Sequence, residues 1–232
     1  MIFAIDHFVL SANPEQAVDL LAELGELGFA ANNFVLSFTD LNGESESLSY
    51  SGGGMVEVLH PLDPTHAPVA WFAEVPRIIG LGFASNDFAA DTDWGPDREE
   101  GHWTMDEQFP LPDGSSLDIR AAGPHRHISE FYVFVMARPT GKLQFPDVPA
   151  VPRLVSVTIV GADAMLWRER LRRWLRLGAG PTLMVGDVEL RFEESENSGV
   201  RISPEFSLPA RTAHIPLARS GIDFVLADSV QK

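Results

Sequence analysis

Residues 2–29 have the sequence IFAIDHFVLSANPEQAVDLLAELGELGF, and this stretch decides the fold. Its opening run of β-branched and aromatic residues predicts a strand. Asn13 then predicts a helix N-cap, with Pro14 at the first helical position and Gln16 as the capping-box partner. Leucines recur behind it at helical spacing, and Gly28 predicts the left-handed end of the helix.

Three further strands are predicted directly after this helix, at 33–39, 46–51 and 55–59. Asn42-Gly43 is a typical hairpin turn, and Gly52-Gly53-Gly54 separates the last two strands. The first 59 residues therefore predict a β-α-β-β-β unit.

A second unit is predicted at residues 77–137. Its strands are expected at 77–85, 115–121 and 129–137, and the acidic segment 86–114 is expected to consist mainly of turns. Together the two units are expected to form one domain over residues 1–138.

A proline-rich segment at 139–152 predicts a linker to a third unit, residues 153–232, which ends in a strand at 222–227. Shifting the first helix by 150 positions places Leu27-Gly28 on Leu177-Gly178, so this unit echoes the first. The fold class predicted is α+β, with repeated βαβββ-type modules, curved and mostly antiparallel sheets, and helices packed outside them.

The bulk composition excludes several classes of protein. Lys and Arg total 17 against 33 for Asp and Glu, and a net charge of −16 disfavours binding to nucleic acid. The absence of cysteine excludes disulfides and thiolate chemistry. No apolar run approaches the roughly 18 residues of a membrane span, and no signal peptide is recognised. A cytoplasmic protein is expected.

The first unit opens with Ile-Asp-His-Phe-Val-Leu (5–10), its helix ends with Leu-Gly-Phe (27–29), and its last strand contains Val-Glu-Val-Leu (56–59). In this order and spacing it resembles the first module of the vicinal oxygen chelate superfamily, in its glyoxalase-like branch. Residues 112–120, followed by the strand at 129–137, are similar to the second half of a glyoxalase-like domain.

The resemblance implies paired modules whose sheets curl around a cleft that binds a small oxygenated or carbonyl metabolite. It also implies a divalent metal (iron, manganese, nickel or zinc), with His7 and Glu57 as metal ligands and catalytic residues. The reaction would be that of a lyase, isomerase or dioxygenase. The matching strands of the other units carry no second histidine, so a metal-free protein that binds or sequesters a small molecule is the alternative, and enzyme activity is left open.

The alternation of side chains along a strand places His7 on the face of Ile5 and Val9, and Glu57 on the face of Met55 and Leu59. If both faces line the cleft, the two side chains lie close together although fifty positions separate them.

Two other groups of residues are candidates for the site. His127 and Glu130 precede or begin a strand and can add metal ligands, although a solvated loop is the alternative. Trp94, His102 and Trp103 lie in the acidic segment and can cover the cleft and contact substrate. Separately, five arginines in the helix at 163–177 predict contact with an acidic surface of a second copy, that is, a homodimer.

Overall fold

The structure, a computed structural model, describes residues 1–38, 42–63, 76–97, 102–111, 113–124, 132–138, 152–196, 200–207 and 225–227. Within these ranges the helices are α1 (Pro14–Glu26), α2 (Phe88–Asp91) and α3 (Ala164–Trp174), with a 3-10 turn at Gly95–Asp97. The strands are β1 (Ile2–Ser11), β2 (Ala30–Phe38), β3 (Gly43–Ser49), β4 (Met55–Pro61), β5 (Arg77–Ser85), β6 (Trp103–Pro110), β7 (Ser116–Gly123), β8 (Tyr132–Ala137), β9 (Arg153–Val160), β10 (Leu183–Val185), β11 (Val188–Glu193), β12 (Arg201–Ser207) and β13 (Val225–Ala227).

Helix α1 begins where the capping signal predicts. The Asn13 side chain accepts a hydrogen bond from the backbone N–H of Gln16 at 2.9 Å, and the Gln16 side chain accepts one from the Asn13 N–H at 3.1 Å. After the helix, Gly28 has φ of 93°. Any residue with a Cβ would be strained in this conformation, so glycine is favoured there. The buried face of α1 contains Ala17, Leu20 and Leu24.

Eight strands form one sheet in the order β2-β3-β4-β1-β5-β8-β7-β6. At its centre β1 and β5 lie antiparallel to each other. Each is flanked by a parallel strand, β4 beside β1 and β8 beside β5, and the remaining pairs are antiparallel. The two halves of the sheet therefore have the same strand order about a central antiparallel pair.

This sheet curls until its two edge strands meet. Phe38 of β2 and Phe109 of β6 lie at opposite ends of the strand order, yet their ring centroids are 5.5 Å apart. A flat sheet would separate these strands by roughly 34 Å, seven spacings of about 4.8 Å. The concave face consequently encloses a cleft. The predicted fold class, α+β with curved, mostly antiparallel sheets, is confirmed.

The second sheet has the order β10-β11-β9-β12-β13. β9 lies parallel to β11 and antiparallel to β12, and β12 lies parallel to β13. This is the arrangement of β1, β4, β5 and β8 in the first sheet. The sequence predicts a strand at 199–203 as the last strand of the third unit, and β12 forms there. It corresponds instead to the first strand of a fourth unit, because β12 lies beside β9 as β5 lies beside β1.

The hydrophobic core divides between the two faces of the large sheet. The larger cluster lies on the convex face and includes residues of α1, α3 and both sheets. Phe206 of β12 joins the two sheets there, with its ring centroid 5.1 Å from that of Phe29 and 5.2 Å from that of Tyr50. A smaller cluster, with Leu36, Ile119 and Phe134, lies on the concave face.

One sequence-based expectation fails in the second unit. The segment 86–114 was expected to consist mainly of turns, but it contains β6. Trp103, Met105 and Phe109 occupy alternate positions of that strand, and all three belong to the concave cluster. Burial of these three side chains stabilises the strand. The acidic residues among them interrupt the apolar alternation from which a strand is predicted. The helix of the second unit, α2, has only four residues.

The arginines of α3 that were expected to contact a second copy have partners within their own chain. Arg168 and Arg172 donate to Glu169, and Arg176 donates to the carbonyl oxygen of Asp93 at 2.7 Å. The homodimer stays a prediction. Among the helices described, none has the length and apolar character needed to cross a membrane.

Replacing Phe206 with alanine should lower the free energy of unfolding by about 3–5 kcal/mol, because a fully buried ring that joins the two sheets would leave a cavity. Urea denaturation measures the change. Leu166→Ala is the control, since Leu166 is 48% exposed on α3 and its loss should change stability by about 0.5 kcal/mol at most. A loss below about 1 kcal/mol for Phe206→Ala would contradict the role of this ring.

Candidate active-site cleft

The concave face of the large sheet contains a cavity of about 90 Å³. Most of its wall is apolar, and the aromatic side chains among it are Phe34, Phe38, Trp103, Tyr132 and Phe134. The polar side chains that line it, among the described residues, are His7, Ser45, Ser47, Glu57 and Arg138. An apolar cavity with few converging polar groups is the usual composition of a small-molecule site.

His7 and Glu57 meet in this cavity. Val9 of β1 lies opposite Glu57 of β4 in a parallel pair, so His7, two residues before Val9, lies on the same face. Nε2 of His7 is 3.4 Å from Oε2 of Glu57, and the residues are 4% and 8% exposed. The other carboxylate oxygen of Glu57 accepts a hydrogen bond from the Ser45 hydroxyl at 2.6 Å. The expected proximity of the two side chains is therefore present.

A β-bulge at Asp6 changes the expected facing pattern of β1. Ile5 lies opposite Phe83 and His7 lies opposite Gly82, so Asp6 is an extra residue without its own partner on β5. Because of this insertion, Ile5 packs in the convex core while His7 and Val9 face the cleft. The expectation that His7 and Ile5 share a face is wrong for this reason.

The bulge brings Asp6 into contact with the side chain that follows it. Oδ2 of Asp6 is 2.6 Å from Nδ1 of His7. Arg138, which follows β8, donates to both oxygens of Asp6, at 2.9 Å from Nε and 3.2 Å from Nη2. Asp6 is 0% exposed and Arg138 is 5% exposed. Four buried groups of alternating charge, from Arg138 through Asp6 and His7 to Glu57, thus form one chain of contacts.

These contacts shift two pKa values in opposite directions. Burial on its own would lower the pKa of His7, but the hydrogen bonds and negative charges of Asp6 and Glu57 outweigh it and raise the pKa to about 9. Burial on its own would raise the pKa of Asp6, but the charge of Arg138 and the His7 contact lower it to about 2. At neutral pH the site therefore contains an imidazolium between two carboxylates.

The half of the cleft that faces His7 is apolar. Gly82 lies opposite His7 on β5, and Phe134 of β8 lies next to Gly82. The Phe134 ring contacts the His7 ring edge-on at a centroid distance of 4.8 Å and stacks on Tyr132 at 5.4 Å. Trp103 completes this wall, 6.0 Å from Phe134. Corresponding positions of the two modules thus supply different side chains, a histidine on β1 of the first module and a glycine covered by an aromatic ring in the second.

A divalent metal requires more donors than the described part of the cleft offers. Catalytic zinc and non-haem iron sites usually have three protein ligands. His7 and Glu57 offer two donors, whereas the facing positions, Gly82 and Phe134, offer none. Within the described ranges no three histidine, aspartate or glutamate side chains come together as a ligand set. The described residues do not fit a resident metal ion.

The other predicted site residues have different positions. Trp103 lines the cavity, and His102 precedes it without lining the cavity. Trp94 lies in the convex core, where its indole N–H donates to the carbonyl oxygen of Trp174 at 3.2 Å. Trp94 does not cover the cleft, because it packs with α3 on the convex face of the large sheet and the cleft is on the concave face. His127 and Glu130 lie outside the described residues.

Sequence reasoning missed several residues of the cleft. Asp6 is adjacent to His7, but strand alternation places neighbours on opposite faces, and the bulge has no signal in the sequence. Arg138 and Ser45 likewise carry no local signal. Met105 carries a weak signal, because apolar residues alternate at Trp103 and Met105 before Glu107 interrupts the pattern.

The second sheet does not repeat the charged pair. A bulge at Val155 places Ser156 opposite Glu205 in the way that His7 lies opposite Gly82. The register with β11 then places Arg191 at the position that Glu57 occupies in the first sheet. Arg191 forms ion pairs with Glu189 and Glu205 on a partly exposed face. The candidate site is therefore confined to the first sheet of the described structure.

No family model and no curated protein matches this sequence. Solved structures share its fold. A hypothetical protein from Staphylococcus aureus superposes with a TM-score of 0.71 at 11% identity, over 98% of this chain and 100% of that one. A mutant of 4-hydroxymandelate synthase from Streptomyces coelicolor gives 0.60 at 15% identity, over 90% and 72%. The 2,2',3-trihydroxybiphenyl 1,2-dioxygenase of Sphingomonas wittichii gives 0.57 at 11%, over 96% and 80%.

The synthase and the dioxygenase are members of the vicinal oxygen chelate superfamily. The fold of this chain is the vicinal oxygen chelate fold, with a curled mixed sheet and few helices. At these identities the likeness concerns the fold alone.

Raising the pH should weaken the fold through His7. Its pKa in the folded protein, about 9, lies above the ordinary 6.5, so its contribution is complete below pH 6.5 and is lost as the pH rises through 9. A shift of this size corresponds to on the order of 3 kcal/mol. Urea denaturation at a series of pH values measures it.

The variant His7→Asn is the comparison, because it lacks the titrating group. The stability difference between the natural protein and His7→Asn should shrink between pH 6.5 and pH 9. Asp6, with its pKa of about 2, stays ionised throughout and adds no slope. A difference that does not change with pH would count against the buried imidazolium.

Proposed function

We propose that this protein is a glyoxalase-like enzyme that binds a small, uncharged, mainly apolar carbonyl compound and moves a proton between its carbon and its oxygen without a resident metal. The observation that carries the proposal is the His7–Glu57 pair, 3.4 Å apart and directed into an otherwise apolar cavity.

The charge balance of the cleft favours an uncharged ligand. Arg138 pairs with Asp6, and His7 pairs with Glu57, so the buried charges already cancel. A charged ligand would add an ion without a partner to an apolar cavity, which costs free energy. A neutral carbonyl oxygen can instead accept a hydrogen bond from Nε2 of His7.

The size of the cavity limits what enters it. At about 90 Å³ it is smaller than the cavity of about 150 Å³ that holds benzene in an engineered protein. The oxygen-bearing end of a ligand therefore occupies the cavity, and its apolar remainder lies against Trp103, Tyr132 and Phe134. Aromatic rings of this kind favour a flat ligand.

The proton transfer uses two groups. Glu57 accepts a proton from the carbon next to the carbonyl, and Nε2–H of His7 donates its proton to the carbonyl oxygen. A C–H bond breaks and an O–H bond forms, so the product is the enol. The Glu57 proton then returns to carbon and the enol proton returns to Nε2 of His7, which restores both groups and completes a hydrogen exchange at that carbon. Proton transfers of this kind by positioned side chains contribute typically a hundredfold or more to the rate.

Acetophenone should bind at least about tenfold more tightly than benzoate or benzylammonium, which have the same ring and opposite charges. Methyl-labelled methionine reports binding in NMR spectra. Met55, Met105 and Met136 line the cavity, whereas Met165 and Met184 are 44% and 45% exposed elsewhere and serve as internal controls. Preferential binding of either ion, or equal shifts of all five methyl groups, would contradict the proposed ligand class.

In D2O the protein should exchange deuterium into the methyl group of acetophenone faster than buffer does. His7→Asn and Glu57→Gln should lose this activity. His60→Asn and Glu44→Gln are matched controls, because His60 lies on β4 and Glu44 on β3, and neither lines the cavity. Binding without exchange would defeat the catalytic half of the proposal and leave the sequestering alternative.

Metal analysis of protein purified without an affinity tag separates this mechanism from a metal-assisted one. We expect less than stoichiometric transition metal and no gain in exchange on adding iron, manganese, nickel or zinc. A stoichiometric metal that is lost on His7→Ala would overturn the metal-free mechanism.

A further inference from the structure

The bulge at Asp6 has a specific geometric consequence for His7. In a regular strand, neighbouring side chains point to opposite faces and cannot bond each other. Here the extra residue turns the Asp6 carboxylate toward the ring that follows it, at 2.6 Å from Nδ1. The ionised carboxylate has no proton to give, so Nδ1 is the donor of this hydrogen bond. Nε2 is then the nitrogen that faces the cleft.

Asp6 is itself fixed from two directions. The Arg138 guanidinium donates hydrogen bonds to both carboxylate oxygens of Asp6. The backbone N–H of Arg138 donates to the carbonyl oxygen of Ser85 at 2.8 Å. On the strand, the Tyr50 hydroxyl donates to the carbonyl oxygen of Ile5, directly before the bulge, at 3.2 Å. The carboxylate has little freedom to leave His7.

The His7 ring cannot shift toward β5, because Gly82 and Phe134 lie against it on that side. A Cβ on Gly82 would lie 2.8 Å from the Phe134 ring and 3.2 Å from Nδ1 of His7. The ring is thus confined between β5 and Phe134 on one side and held by Asp6 at Nδ1. Nε2 retains one longer contact, 3.4 Å from Glu57, which leaves it accessible to a ligand oxygen.

We infer that Asp6, held by Arg138, is a positioning residue that orients His7 so that Nε2–H is directed at the carbonyl oxygen of the ligand. The inference deepens the proposed function and rests on it for the identity of the ligand. Asp6 does not touch the ligand and acts through His7 alone.

The Nδ1–H proton of His7 tests the inference directly. A hydrogen bond of this length to a buried carboxylate gives a far-downfield proton signal, which nitrogen-15 labelling of histidine assigns. In Asp6→Asn the signal should move upfield or vanish, and acetophenone affinity should fall roughly tenfold. Glu205→Gln is the matched control, since Glu205 also accepts hydrogen bonds from a neighbouring side chain, the Ser156 hydroxyl at 2.5 Å, and from an arginine, Arg191 at 2.9 Å, in the second sheet and away from the cleft.

Two milder variants keep the test valid if Asp6→Asn does not fold. Arg138→Lys keeps the positive charge but loses the bidentate hydrogen bonds to Asp6. Gly82→Ala places a Cβ 3.2 Å from Nδ1 of His7 and displaces the ring. Both should shift the Nδ1–H signal and weaken acetophenone binding, with Arg138→Lys intermediate between the natural protein and Asp6→Asn.

The outcomes separate this inference from the proposed function. If acetophenone does not bind the natural protein, the proposed function fails, and the Nδ1–H signal still decides whether Asp6 orients the ring. An absent downfield signal in the natural protein would overturn the inference. So would a folded Asp6→Asn protein with the natural signal and natural affinity.

Discussion

The buried ion pair between Arg138 and Asp6 is the contact on which the site depends. It joins the residue directly after β8 to the bulge of β1, 132 positions away in sequence. Removing one partner of such a pair leaves a buried charge uncompensated, typically at a cost of 3–5 kcal/mol. The two modules must therefore associate in one register, and that register places His7 opposite Gly82.

The closing of the sheet gives this pair its low-dielectric surroundings. Phe38 and Phe109 are in contact where the edge strands meet, and the concave cluster surrounds the cleft with apolar side chains. Within that environment an imidazolium between two carboxylates is favoured, because each charge has an opposite neighbour and each carboxylate accepts further hydrogen bonds. The same environment disfavours a charged ligand.

The two modules have the same strand arrangement but unlike surfaces. The first module contributes the charged pair, whereas the corresponding part of the second contributes two glycines and an aromatic stack. Gly80 and Gly82 have no side chain because the Tyr132 and Phe134 rings cover them, at 2.8 Å from an added Cβ in both cases. The second sheet repeats the strand arrangement but carries Ser156 and Arg191 at the positions of His7 and Glu57. The fold is thus retained where the chemistry is not.

Local sequence determined the elements of the first unit, and with them His7 and Glu57. The capping box at Asn13, the glycine after α1 and the alternation around Glu57 are decided by short-range sterics and hydrogen bonds, which a sequence states directly. Tertiary structure alone decided that Asp6 and His7 point the same way, that Arg138 meets them, and that Trp94 belongs to the core while Trp103 belongs to the cleft. A bulge depends on the register of two paired strands, and a buried ion pair depends on which distant segments meet. Neither is encoded in the local pattern, because the free energy that selects them arises when the sheet closes.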